Sequence, residues 1–434
     1  MTKYLRLLAA AVFSATAYTA ATQAPVREAF NPLADEQMMR LDSLMTVFHD
    51  KHTTFKDDIS KMNVYGFDTN DIPTYPADVI QYRLNRMESP IPMEYNQYVK
   101  GYIDLYSIRK KKLTTHILTW SQYYFPLFEQ ILDQQGLPLE FKYLAVIESA
   151  LNPHAQSWCG ATGLWQFMYG TGLMYGLKIN SFVDERKDPI KATYAACQYF
   201  KDMYALYGDW LLVIAAYNCG PGNVNRAIRK SGGHYNFWKI MPYLPVETRG
   251  YVPAFIGASY VMNYHKEHNL YPNPTVVNYV TDTVHVDNRL SFYQLSQSLQ
   301  MNEEEIKLLN PSYKQSMLPY PTNAKSCVLR LPYQKCMSFT DLKENIYTST
   351  SQFLNNPYAA LPASNLAGNA CETGTQGQTI SLPKTVRYKV KRGEGLYSIA
   401  YKYGCTVQDI KRLNGLHGNA LSTGQTITVQ NNRM

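Results

Sequence analysis

Apolar residues recur at helical spacing through roughly the first two thirds of the chain and give way to strand-like alternation after about Leu270. From Ile91 to Trp120, Tyr98, Val99, Tyr102, Ile103 and Tyr106 form one stripe, and helix continues through Phe125 to Leu132. The run LPLEFKYLAVIESA sets Leu137, Phe141, Leu144, Ala145 and Ile147 on one face, so Glu148 closes an apolar helix. Asn152-Pro153 is expected to break that helix, and Gly160 and Gly163 to let a loop fold back before Leu164, Trp165, Phe167 and Met168 resume the apolar face. A further helix opens at Pro189, turns Ala195, Ala196, Tyr199, Phe200 and Met203 inwards, and stops at Gly208. The next, DWLLVIAAYNCGPG, stays apolar until Tyr217 and Asn218.

Beyond Leu270 the pattern changes to β-branched residues and Asn-Pro breaks, which marks a boundary. Residues 279–333 predict a strand at Thr283 to Val286, a helix near Phe292 to Leu299, a second helix capped by Asn302, and a strand at Val328 to Leu331. Residues 385–430 repeat that β-α-α-β outline. A strand at Val386 to Val390 is followed by a Gly393 turn, a helix from Leu396 to Tyr403, a second helix to Asn414 and a returning strand that ends at Val429. Residues 334–384, rich in Asn, Ser, Thr, Ala and Gly towards their end, read as a linker. The expected order is a signal peptide at 1–24, a helical extension at 25–90, a helical domain at 91–270, and the two small modules with the linker between them.

The signal rests on Lys3 and Arg6, a short apolar run and small-residue cleavage sites. That run is too short to span a bilayer, and no later stretch is long and apolar enough, so no span is expected in the mature chain. Export to the periplasm is expected, with peripheral association at the outer membrane the other destination. No cysteine lies near the cleavage region to take a lipid. A net charge of +8 suits anionic envelope surfaces, but the basic residues are scattered, and no nucleic-acid motif accompanies them. Seven cysteines leave one unpaired by parity, and packing as free thiols is favoured over Cys197–Cys219 or Cys327–Cys336 bridges. No spacing points to a metal, and no cofactor is expected.

The candidate chemistry centres on Glu148. A carboxyl group sheltered among apolar side chains is disfavoured as an anion, which suits a general acid. The structural alternative is a helix-terminal Glu paired with Lys142 or Lys178. Within the stretch from Glu148 to Met168 there is no second acid, whereas ordinary glycosidases use two.

The blocks ESALNPHAQS and GATGLWQFM, then VDERKDPIKAT, AAYNCGPGNVNRAI and ETRGYVP, resemble in order those of the soluble-type lytic transglycosylases. The resemblance implies a mainly α, lysozyme-like catalytic domain. It also implies cleavage of the β-1,4 bond between N-acetylmuramic acid and N-acetylglucosamine in peptidoglycan, with 1,6-anhydromuramoyl ends as product. Glu148 would act as acid and then as base, without water. Ser157, Gln166, Met168, Tyr217, Asn218, Glu247 and Tyr251 would bind substrate. Tyr217 would also position Glu148, Asn218 would support the loop, and Glu247 would touch sugar or hold Arg249. Asp184, Glu185, Arg186 and Asp188 read as a structural network. Tyr169 stands where relatives commonly have Pro.

Residues 385–430 resemble a LysM module, and 279–333 a divergent one. Peptidoglycan glycan strands are the implied partner. By that resemblance, sugar lies against Gly393, Glu394, Gly395 and Leu396 and the loop of Asn414, Gly415 and Leu416. Glu394-Gly395 replaces the usual Asp-Thr, so a hydroxyl is missing. The competing functions are a hydrolytic muramidase and a non-catalytic wall-binding scaffold.

Overall fold

A computed structural model describes residues 62–273, 280–320 and 326–354, and in the last module residues 385–390 with parts of 399–430. The signal, the linker beyond Leu354, the turn Gly393 to Leu396, Cys371 and Cys405 lie outside the described residues. The chain divides into two compact units, Met1–Ala360 and Leu361–Met434.

Helices dominate the first unit. The apolar stripes produce Gln97–Asp104, Lys111–Gln134, Lys142–Ser149, Pro189–Tyr207, Trp210–Cys219 and Tyr251–Asn263, all contributing to one core. At its centre Phe141 stacks on Phe200 with ring centroids 4.2 Å apart, and Phe128 and Trp165 lie 5.2 Å apart. Tyr251–Asn263 is buried from Tyr251 through Met262, as befits a helix apolar on all faces. It approaches Gln97–Asp104 so closely that a Cβ on Gly257 would stand 2.7 Å from Tyr102 Cβ. Asp188 caps the Pro189–Tyr207 helix by accepting from Ile190 N and Lys191 N, and Gly208 ends it at φ 63°.

Two boundaries differ from expectation. The described part of the 25–90 extension is not separate from the helical domain, because Ile80 and Leu84 of the Ala77–Asn85 helix join the same core. Arg83 sits between the rings of Tyr75 and Tyr264 and donates to Tyr260 Oη at 3.0 Å, which locks this helix to the domain's last one. The segment expected to start a linker at 334 instead forms a helix, Tyr333–Leu354. Its Cys336, Phe339 and Ile346 are buried in the core of the first small module, which polar composition alone did not reveal.

That module pairs Thr281–Val286 with Cys327–Pro332 antiparallel, with Val284 opposite Leu329. Helices Phe292–Leu299 and Glu303–Leu309 lie between the strands in sequence, Ser291 closing a capping box and Asn302 capping the second. In the second unit Thr385–Lys389 pairs with Thr426–Gln430, and Val407–Asn414 packs on the sheet. Both modules use one device. Asn310 Nδ2 donates to Ile306 O and Arg330 O while its Oδ1 accepts from Arg330 N. Asn414 repeats this with Ile410 O, Thr428 O and Thr428 N. Each asparagine ties the end of a helix to the returning strand.

The cysteines at 159, 197, 219, 327 and 336 are free thiols. No helix among the described residues is long and apolar enough to cross a membrane.

Candidate active site

Glu148 is the penultimate residue of Lys142–Ser149 and is 4% exposed. The helix ends sooner than Asn152-Pro153 suggested. Ala150 and Leu151 take left-handed conformations at φ 50° and 62°, and both are fully buried. Two adjacent non-glycine residues in that region carry strain that the surrounding packing must hold. Ser149 Oγ donates to Leu164 O at 2.9 Å and joins the helix end to the returning loop. Lys142, one cation available to a purely structural Glu148, pairs instead with Glu129 at 2.5 Å.

Tyr251 Oη donates to Glu148 Oε1 at 2.5 Å across 103 residues of chain. This corrects the expectation for Tyr217, whose hydroxyl donates instead to Trp165 O at 2.6 Å. Burial, and then the negative charge of Glu148, hold the Tyr217 phenol well above its ordinary pKa. Tyr217 therefore lies near the carboxylate but steadies the loop that faces it. Asn218 Oδ1 accepts from Thr248 Oγ1 at 2.8 Å, linking the end of Trp210–Cys219 to the ETRGYVP block. Glu247 is exposed and does not hold Arg249, which gives its Nε–H to Leu244 O at 3.0 Å.

The loop between Glu148 and Met168 is a small, heavily bonded structure. Thr162 and Phe167 exchange backbone bonds of 3.0 and 3.1 Å, and Gly163 N donates to Ala155 O at 2.8 Å. Ser157 Oγ accepts from Ala161 N at 3.0 Å, which leaves its own hydrogen free to donate. Gln166, at φ 48°, donates through Nε2 to Ala155 O and Gly163 O. Its Oε1 is buried and has no partner among the described residues. A buried acceptor left unmade costs about 1–3 kcal/mol. Met168 is 46% exposed beside this loop, and Trp158 at its tip is 97% exposed.

Asp184 and Arg186 hold the loop from behind. Arg186 Nε and Nη2 bind Asp184 at 2.9 and 2.7 Å, and its Nη1 donates to Gly160 O and Phe167 O. A Cβ on Gly163 would stand 1.9 Å from Arg186 O, so only glycine fits there, at φ 88°. Glu185 accepts from Lys178 N and pairs with Lys191 at 2.7 Å. The structural reading of this cluster holds, and it commits both carboxylates to other partners. Sequence reasoning missed this reach of Arg186 into the loop and the bond from Tyr251 to Glu148. The ETRGYVP block was the only signal for the latter. In the second unit the Asn414 side chain is the helix-to-strand tie, and Leu416, partly buried, packs on the module's core.

No cluster of His, Cys, Asp or Glu suited to a metal ion occurs among the described residues.

Comparison with known families matches residues 126–239 to the transglycosylase SLT domain. Residues 280–348 match the LysM-like domain of lytic transglycosylase MltD, and 388–430 the LysM domain. The chain is 28% identical to membrane-bound lytic murein transglycosylase D of Escherichia coli (strain K12) over 303 residues, 69% of this chain and 61% of that protein. It thus spans less than two thirds of that relative's length. Against the soluble lytic murein transglycosylase of the same organism, identity is 32% over 136 residues, 30% of this chain and 21% of the relative. The 70 kDa soluble lytic transglycosylase of Escherichia coli aligns in structure at 26% identity and a TM-score of 0.31, over 40% of this chain and 30% of that one. The chain therefore matches, in order, a transglycosylase SLT domain, an MltD-type LysM-like domain and a LysM domain.

Proposed function

We propose that this protein is a peptidoglycan lytic transglycosylase. It cleaves the β-1,4 bond between N-acetylmuramic acid and N-acetylglucosamine and leaves a 1,6-anhydromuramoyl end. The observation that carries this reading is the buried Glu148 carboxyl, bonded by Tyr251 and followed in the chain by a tightly bonded loop with an unused buried acceptor on Gln166.

In this reading Glu148 enters the reaction as the acid, with Tyr251 bonded to its Oε1. Glu148 passes its proton to the glycosidic oxygen as the bond to the muramic C1 breaks, and the N-acetylglucosamine side leaves as an alcohol. The muramic N-acetyl oxygen supports C1 while the positive charge is present. The Glu148 carboxylate, still held by Tyr251, then takes the proton of the C6 hydroxyl as O6 closes on C1. The acid is restored and water is not consumed. Ser157 donates to the N-acetyl oxygen, Gln166 Oε1 accepts an amide N–H, and Met168 borders the sugar. Asp184 and Glu185 lie in ion pairs, so neither is free to act as the second carboxylate that hydrolysis by two acids requires.

The site of action is the cell envelope, reached by export to the periplasm, with peripheral association at the outer membrane. The LysM domain at 388–430 holds the enzyme on glycan strands.

Purified protein should release anhydro-ended muropeptides from murein sacculi, read by mass spectrometry. Reducing ends in their place identify a muramidase, and no release from intact protein identifies a scaffold. Glu148→Gln should abolish release and keep sacculus binding.

A further inference from the structure

The first small module is not merely tethered to the helical domain. Leu308 and Leu309 of its second helix are buried in the helical domain's own core. Just beyond, a segment of the module runs beside the turn at 179–184. Asp184 N donates to Ser312 O at 2.9 Å, Val183 bridges to Tyr313, and Lys314 N donates to Phe182 O at 2.8 Å. Lys314 Nζ and Gln315 Nε2 reach the carbonyls of Asn180 and Ser181 at 3.0 and 3.1 Å.

The residue held by this dock is the one that orients Arg186. Asp184 is fixed through its N–H by the module, and its carboxylate grips Arg186, whose Nη1 binds the loop at Gly160 and Phe167. Only three links separate Ser312 from the loop that carries Ser157 and Gln166. The shared asparagine tie sets the correspondence between modules. Ser312 lies two residues after Asn310, as Leu416 lies two after Asn414. In the first module, therefore, the loop equivalent to the one expected to meet sugar is spent on the helical domain. The neighbouring turn is closed as well, since Leu290–Ser291 pairs with Met317–Leu318.

We infer that the Ser312–Gln315 segment of the LysM-like module is a positioning element of the active site, holding the Ser157–Gln166 loop through Asp184 and Arg186, rather than a glycan-binding surface. The inference rests on the proposed function for its catalytic consequence and on the dock for its structural one. A displaced loop lowers turnover even on a substrate too short to touch any module.

The test uses the full-length chain with Lys314→Ala and Gln315→Ala together, both exposed and neither given a role in the proposed chemistry. Lys343→Ala, which removes an ion pair to Asp287 on the same module, is the control. Three quantities are read: amide hydrogen exchange over residues 156–167, turnover of a short soluble uncross-linked glycan, and sacculus pull-down. The double variant should exchange faster across 156–167 and lose about tenfold in turnover, with pull-down unchanged. The control should match the wild type in all three. Wild-type exchange and short-glycan turnover in the double variant overturn the inference, and a fall in pull-down alone marks the segment as a sugar surface. Exchange does not depend on chemistry. A wild type without glycan cleavage whose loop still loosens in the double variant sinks the proposed function and leaves the positioning role standing.

Discussion

Tyr251 touches Glu148 through one oxygen, and that makes its contribution separable. Tyr251→Phe keeps a ring packed at the start of its helix and deletes only the donor to a group that, in the proposed mechanism, becomes an anion in mid-reaction. Losing a hydrogen bond to a charged group weakens that interaction by about 1.5–3 kcal/mol. Turnover of sacculi should therefore fall by about one to two orders of magnitude. Wild-type turnover would show that the phenol is a bystander. The apolar helix that closes at Glu148 and the glycine-bearing loop that returns past Gln166 were legible from the apolar period, whereas the roles given to the two residues rest on the family resemblance. Which tyrosine reaches the carboxylate was not legible. Tyr217 and Tyr251 both follow apolar or glycine-bearing stretches, and only the packing of their helices points one at Glu148 Oε1 and the other at Trp165 O.

Between elements, close approach is the term most easily tested. Gly257→Ala places a methyl 2.7 Å from Tyr102 Cβ and 3.2 Å from Ile103 N, so the two helices must part. The expected loss is about 1–3 kcal/mol, seen as a lower urea midpoint, whereas Gly222→Ala, with nothing within 4 Å, should stabilise or be neutral. His268 adds a pH dependence. Burial, helped by Arg83, lowers its pKa to about 4 against the usual 6.5. The unfolded chain then binds a proton that the folded one refuses, so stability falls as pH drops from about 6.5 towards about 4. His268→Gln should flatten the melting temperature across that window; an unchanged slope would place the acid sensitivity elsewhere. The helices themselves were readable because their apolar periods are long and clean. The five-residue π-helical stretch Leu105–Arg109 was not, since its slipped hydrogen-bond phase leaves the apolar pattern intact. Nor was Tyr333–Leu354, whose few buried residues sit among polar ones.

At the scale of the molecule, two modules of one outline sit in different physical situations. The first shares a compact unit with the catalytic helices and gives its second helix and the following segment to them. The second lies in a unit of its own behind a long polar stretch of chain, with its core of Tyr388, Val390, Ile399, Ile410, Ile427 and Val429 closed upon itself. A sugar-binding surface that serves as a tether must be free to meet polymer, and a surface that holds an active site must not let go. On the proposed function, glycan retention is therefore expected of the second module. Deleting residues 385–434 should weaken sacculus pull-down by about tenfold or more, because the local concentration that a tether supplies is lost with it. Turnover of a short soluble glycan should stay at the wild-type value, since nothing proposed for the loop at Glu148 depends on those residues. Pull-down that survives the deletion would return sugar binding to the helical unit, while a parallel loss of short-glycan turnover would show that the second module also acts on the catalytic loop.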